Sequence, residues 1–526
     1  MAINSVSFLL FLAGALLLYY VAPKKLQYLV LLGASVAFYL ICSMEAAVYL
    51  LLTVLSTYGF GLWLARLHRQ EGQALGEEGA DRKQIKKQFK HRRRRVLTVA
   101  LVLSFLTLAV FKYLNRWMED VGSLLSLVGL SLSFRPLKLI LPLGISFYIF
   151  QTAGYLIDVY RGKAEAERHF LKYALFACYF PQMIQGPINS YRELHPQLTA
   201  QRRFDPEALR RGIQLMLWGL LKKVFLADPL AGAVEEIYGN YLSYPGAVVL
   251  LGSALYCLQL YCDFSGGVDM VRGVSQMFGI EMAENFRRPY LSKSVDEFWR
   301  RWHMSLGEWM KQYLFYPLAL SAPMGRLSKK LRPMLPKRLG KLVAPCLSTL
   351  IVFLVVGIWQ GPGWQNIAYG LWNGGLMTLA MVTEPGTTRL KERLHIREGN
   401  RMYNGFCIIR TLLLVIIGRF FSHGENLTHA LKLLWRSVRC FGQGWGPGTL
   451  VSFGPDPMAW LRIGIAGAVL LTVSLIQERG IGIREALAKK HWMLQFVLLF
   501  AEILLLVICL YLNSDYTAIA FVYENV

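Results

Sequence analysis

Thirteen apolar stretches follow one another along this chain, near residues 6–22, 27–44, 46–65, 96–113, 136–160, 170–188, 212–228, 246–262, 343–358, 364–383, 404–421, 459–476 and 491–512. Several approach the ~20 residues that an α-helix needs to cross the hydrocarbon of a bilayer. Backbone in lipid must satisfy its own hydrogen bonds, so these stretches predict helices. Others are short, or interrupted by glycine, proline and charge, as at Lys222–Lys223. Those read as tilted, re-entrant or surface helices, tolerated where they pack in protein or line a cavity. The fold class that follows is all-α: a polytopic membrane protein with about 11 to 13 helical passes or re-entrant helices.

Charge then orients the chain. Only 17% of the 526 residues are charged, yet the formal net charge is +24. Residues 82–95 hold nine Lys and Arg and residues 326–341 hold seven, neither with an acid, so two short segments carry 16 of the excess. Such runs occur on nucleic-acid-binding faces. Between long apolar segments they read instead as cytoplasmic loops beside anionic lipid, and no nucleic-acid partner is expected. Residues 1–22 lack a basic leader and a small-residue cleavage site, so they are expected to stay as the first helix. Lys24 and Lys25 then lie inside, as does 82–95 two spans later, which sets the N-terminus outside. The expected location is a membrane crossed many times, with the basic segments on its cytoplasmic side.

The eight cysteines, apart from Cys440, lie in or beside apolar segments and show no paired metal spacing. They read as buried thiols rather than zinc ligands or a disulfide framework. The chain has no Walker loop, no G-x-S-x-G elbow and no dinucleotide fingerprint.

The informative residues are therefore polar groups in greasy surroundings, because ionisable residues at membrane depth are costly and usually line a pathway or site. The densest set runs from Tyr261 to Tyr316. Asp263 and Asp269 flank Ser265-Gly266-Gly267, which reads as a helix break, with the carboxylates either capping helix ends or pointing into a cavity. Asn285 to Tyr290 follows, and then Glu297-Phe298-Trp299-Arg300-Arg301-Trp302-His303. A lone histidine is more often a hydrogen-bonded core residue than a base, but the clustered Glu297, Arg300 and Arg301 single out His303. A second stretch, Gly357 to Trp364 with Tyr369 to Gly374, joins two apolar segments through small residues and tryptophans, a pattern that packing alone explains. A third runs from Leu141 to Tyr148 and on to Arg161. A fourth, Phe180 to Pro187, carries prolines that argue against a straight span.

In this order the four stretches resemble the membrane-bound O-acyltransferase (MBOAT) family, in particular its bacterial branch of alginate O-acetyltransferase membrane subunits, related to the D-alanyl transferases of teichoic acid. The similarity runs from Phe8 to about Leu379. Its most specific parts are Pro142–Tyr148, Phe180–Pro187, Asp263–Asp269, Asn285–Leu291 and Phe298–Leu306. The resemblance implies a single transmembrane domain over 1–526, with core motifs in 136–380 and less typical helices in 400–526, built around a central tunnel. It implies transfer of an acyl group, presented as acyl-CoA or an acyl-carrier thioester, to a hydroxyl of an extracellular polysaccharide. A secreted or membrane-tethered acyl-transfer partner is implied too, and no bound cofactor or metal.

The family carries two histidines in this region. His303 matches one of them. The other falls in a Trp-His-Gly triplet, and here Trp359 and Gly361 flank Gln360. Glutamine donates and accepts hydrogen bonds but takes up no proton near neutral pH. Asn373 stands where relatives often have histidine. The resemblance thus gives His303 and Gln360 as the catalytic positions, with Asp263, Asp269, Asn285, Arg301, Trp302, Trp359 and Asn373 shaping the tunnel or binding substrate. Three readings of Gln360 stay open: an impaired relative serving as scaffold in polymer export, an enzyme with His303 as its only base, or a substitution within an otherwise intact site. A transporter or flippase of a lipid-linked sugar also fits broken helices and buried charge, but it predicts pseudo-symmetric halves that the sequence does not display.

Overall fold

A computed structural model gives the fold. It describes residues 1–77, 81–127, 129–130, 137, 139, 141–397, 399–446, 449, 453–454, 457–512 and 521. Residues 136, 138 and 140, at the head of the 136–160 stretch, and most of 513–526, in the C-terminal region, lie outside them.

Every one of the thirteen apolar stretches contains helix, and among the described residues no strand forms beyond one isolated bridge between Phe286 and Trp302. The protein is all-α and polytopic. Six helical stretches are long and apolar enough to cross a membrane by length and composition: Lys24–Ala74, Arg82–Ser123, Gly246–Met277, Lys337–Gln360, Arg401–His423 and Pro457–Glu478. Val6–Val21 and Trp492–Val507 are shorter apolar helices. The remaining stretches are shorter or interrupted, as their prolines and polar residues predict; Phe170–Cys178 and Phe180–Gln185 meet at Tyr179.

The chain forms two compact units. Among the described residues, the first comprises those within 1–216 and 268–283 together with 521, and the second those within 217–267 and 284–512.

In the first unit, aromatic edges pack Val6–Val21 on Gln27–Ser43, with Phe8 and Phe38 6.1 Å apart and Phe11 5.5 Å from Phe180. The two proline-bearing stretches meet here. Gly144 adopts φ +67° ahead of Ile145–Tyr160, and a Cβ there would lie 2.5 Å from the Met183 carbonyl oxygen, so only glycine fits.

Two sequence expectations are corrected. The basic segments 82–95 and 326–341 are not loops. The first forms the opening turns of Arg82–Leu127, and the second runs through Ala322–Leu331, Arg332–Met334 and the start of Lys337–Gln360. Lysine and arginine are good helix formers, and their heads reach water from a helix as well as from a loop. Arg93 is also paired, with Glu71 and with His68 Nδ1. Nor do Gly266 and Gly267 break a helix: Gly246–Met277 runs through them unbroken. A Cβ on Gly266 would lie 2.8 Å from the Gly219 carbonyl, so this glycine lets two helices approach within the second unit.

The second unit also contains the tight hairpin of Lys337–Gln360 and Trp364–Arg393. Gly357 and Gly370 lie back to back, and a Cβ on either would run into backbone carbonyl of the other helix, that of Asn366 or Phe353. Packing accounts for these glycines. Gly370→Ala is expected to lower stability by about 1–3 kcal/mol, the usual cost of overpacking. Gly375→Ala, with nothing within 4 Å, is expected to be neutral or slightly stabilising. Thermal unfolding of the two variants in detergent checks this, and equal midpoints would refute it.

Candidate active site

Within the second unit, two segments of opposite direction hold the candidate base. Arg287 N–H donates to the Arg301 carbonyl at 2.9 Å, and Met304 N–H donates to the Asn285 carbonyl at 3.0 Å. These bonds bend the chain so that His303 lies in the left-handed region, at φ 46° and ψ 53°, as the cap of Met304–Met310. A non-glycine residue held there costs of order 1–3 kcal/mol and persists only where its surroundings impose it. Here the surroundings are Asn285, Phe264 and Trp359. The Phe264 ring meets the imidazole edge-on at 4.9 Å, and the Trp359 ring lies 6.1 Å away.

The imidazole tautomer follows from the bonds. The Ser305 backbone N–H can only donate, and it reaches Asn285 Oδ1 at 3.0 Å; Ser305 Oγ also donates to that oxygen, at 2.9 Å. The Asn285 oxygen, not its nitrogen, therefore faces this corner. His303 Nδ1 lies 3.2 Å from the same oxygen, so Nδ1 carries the proton and donates. The Nε2 lone pair is left as the basic site. Asn285 is fully buried and His303 is 2% exposed. Burial pushes the His303 imidazole down, to about 3, which keeps it neutral.

The other residues singled out by sequence distribute as follows. Trp302 precedes His303 and is buried, stacked on Phe298 at 5.6 Å. Gln360 ends its helix directly after Trp359 and is half-buried. Asn373 bonds Trp299 Nε1 at 3.2 Å and the Tyr369 carbonyl at 2.8 Å. Arg301 is committed to carboxylates, at 2.6 Å from Glu297 and 2.9 Å from Glu478, which also binds Arg288 at 2.7 Å. Asp269 belongs to the first unit and pairs with Arg272 at 3.7 Å. The structure thus brings His303, Asn285, Trp302 and Trp359 together.

Asp263 has a role that sequence did not reveal. It sits one residue before Phe264, 2% exposed, and accepts from Lys223 Nζ at 2.6 Å; the same ammonium lies 2.8 Å from Asp228. Lys222 donates to Ser265 at 2.8 Å. Of the two lysines that seemed to interrupt an apolar helix, Lys223 is its buried ion-pair partner, at the start of a π-helical turn over Lys223–Ala227. Charged residues amid an apolar run were the available signal. Among the described residues, no group of three or more His, Cys, Asp or Glu is placed to hold a metal ion.

Comparison with known proteins gives the family. The family model described as MBOAT, membrane-bound O-acyltransferase, matches residues 164–421. A probable alginate O-acetylase, AlgI, of Azotobacter vinelandii is 30% identical over 432 residues, covering 82% of this chain and 76% of that protein. The chain belongs to the membrane-bound O-acyltransferase family. A peptidoglycan O-acetyltransferase of Helicobacter pylori is 29% identical over 64% of this chain and 63% of its own. A teichoic acid D-alanyltransferase of Bacillus subtilis is 27% identical over 56% and 71%. Phe298–His303 and Trp359–Gly361 both lie inside the matched residues.

Proposed function

We propose that this protein is an acetyltransferase that moves an acetyl group from a thioester donor at the cytoplasmic face to hydroxyls of an exported cell-surface polysaccharide. The observation that carries the reading is the His303–Asn285 pair. A buried imidazole held in one tautomer, with Nε2 as its basic nitrogen, is suited to take the proton of an attacking hydroxyl. As the hydroxyl oxygen attacks the thioester carbonyl, its proton passes to Nε2 and the C–S bond breaks; the thiolate leaving group recovers the proton. In this reading Gln360 orients the acceptor or donates a hydrogen bond to the thioester carbonyl, since it cannot serve as a second base. The acceptor class is supported by the names of the relatives, which are enzymes of alginate, peptidoglycan and teichoic acid. A donor such as acyl-CoA or an acyl-carrier thioester, and a secreted or tethered partner that completes transfer outside, belong to the same proposal, as does the placement in an inner membrane with the N-terminus outside.

Gln360 favours a second reading, a scaffold of an export complex without its own chemistry. Ester-linked acetate on the exported polysaccharide separates the two. Cells lacking the protein and complemented with the wild type are expected to regain acetate. If acetate returns only with Gln360→His, the chain as written is a disabled enzyme; if neither form restores it, the acetyltransfer reading fails.

A further inference from the structure

Arg419 lies in the last turns of the helix Arg401–His423 and is 2% exposed. A cation in such a place ordinarily has a carboxylate beside it. Among the described residues, Arg419 forms no ion pair with a carboxylate. Its guanidinium lies 4.8 Å over the ring of Trp302, the residue before His303, and 5.8 Å over Tyr369. Nη1 donates to the Tyr369 hydroxyl at 3.1 Å. The polar groups that act on it electrostatically are the neutral side chains of Tyr369, Tyr290, Cys257 and Tyr256.

Two donors remain. Nε and Nη2 are buried and have no hydrogen-bond partner among the described residues. They are not two arbitrary nitrogens. Their N–H bonds lie parallel along one edge of the guanidinium, the edge that binds both oxygens of a carboxylate or phosphate at once. The aromatic rings hold the plane of the group, and the Tyr369 hydroxyl takes the opposite nitrogen. What is left is a fixed, desolvated fork with only a weak acceptor, the Cys257 thiol, against the guanidinium.

We propose that the Nε–Nη2 edge of Arg419 is a subsite for an oxyanion carried by a substrate, either a carboxylate on the acceptor sugar or a phosphate on the thioester donor. The inference rests on the acyl-transfer reading only for the identity of those two substrates. Held beside Trp302, the anion anchors its substrate next to the His303 segment. Such a site selects charged substrates over neutral ones of the same size, because the neutral analogue leaves buried donors unsatisfied.

The test is equilibrium binding to the full chain in lipid nanodiscs, read independently of turnover. Two pairs of probes are compared: oligogalacturonate against a neutral galactose oligomer of equal length, and acetyl-CoA against S-acetylpantetheine, which lacks phosphate. The wild type is expected to bind the charged member of one pair about tenfold or more tightly, as a charge-assisted bidentate contact warrants. Arg419→Lys, which keeps the charge and loses the fork, is expected to erase that preference. A preference in the first pair names the acceptor carboxylate, and one in the second names the donor phosphate. A second measurement needs no variant: free galacturonate or 3′,5′-ADP, matching the preferred pair, competes with the charged probe, and galactose or adenosine does not. No preference in either pair, a preference that survives in Arg419→Lys, or an absence of competition overturns the proposal. Preserved selective binding without acetyl transfer would instead count against the enzymatic reading alone.

Discussion

His303→Ala is expected to lower acetyl transfer by about 10²–10⁴-fold, the usual contribution of a positioned general base, while leaving the protein folded. The reasoning is geometric. Nδ1 is committed to Asn285 Oδ1, so the lone pair available for a hydroxyl proton is on Nε2. Asn285→Ala removes the acceptor that fixes this tautomer and is expected to cost a large part of the same factor. Asn285→Asp, which still accepts from Nδ1–H, is expected to retain more activity than Asn285→Ala. A variant pair that behaves the other way round would show that Asn285 does something other than orient the ring. The pH dependence follows from the same burial. Because the imidazole is held down to about 3, the base form persists through the range where a free histidine, near ~6.5, would titrate. The activity profile is therefore expected to lack an acid limb at that pH. For stability the sign is fixed as well. The unfolded chain takes up the His303 proton first, so the contribution of this group is full above ~6.5 and is lost progressively as pH falls toward the folded value.

Lys223→Met is the second large effect, and it concerns the fold. One ammonium answers two carboxylates, Asp263 at 2.6 Å and Asp228 at 2.8 Å, and all three side chains are 5% exposed or less. Removing one partner of a buried ion pair typically costs ~3–5 kcal/mol, because the remaining charge keeps its desolvation penalty without the attraction. Here two carboxylates would be left facing each other, so Lys223→Met is expected to lie at the upper end and to be more damaging than Asp263→Asn. Replacing the triad together, with Met at 223 and Leu at 228 and 263, is expected to restore much of the loss. Unfolding midpoints in detergent, with the yield of monodisperse protein, check this order; a Lys223→Met protein as stable as the wild type would contradict it. Asp263 adjoins Phe264, whose ring abuts His303, so loss of the triad is expected to reach activity too.

The helices were legible in the sequence because hydrophobic length alone specifies them, and all thirteen apolar stretches contain helix. What those helices do to each other was less so. Gly266-Gly267 looks the same in one dimension whether it breaks a helix or admits a neighbour, and the carbonyl of Gly219 decides the matter from 47 residues away. Basic segments carry an orientation signal that is indifferent to whether the backbone is loop or helix, which is why 82–95 and 326–341 were given the wrong local form. In the site, His303 and Asn285 were named from sequence, but the bond between them depends on a left-handed turn that no spacing reveals. Arg301 sat in a suggestive cluster, and its partner Glu478 is 177 residues distant. Lys223 and Arg419 could have been found. Each is a charge inside an apolar run, and the rule that such residues mark sites applied to them as much as to Asp263.

The account stands most directly on His303 as the base of transfer across the membrane. Inside-out vesicles from cells that also export the polysaccharide can be given a thioester carrying labelled acetate at the exposed cytoplasmic face, and alkali-labile label on the polymer can then be counted. With the wild type, label is expected to appear as ester on the polysaccharide, and with His303→Ala it is expected to fall by about a hundredfold or more at a matched amount of folded protein. Equal label from the two proteins would contradict the account.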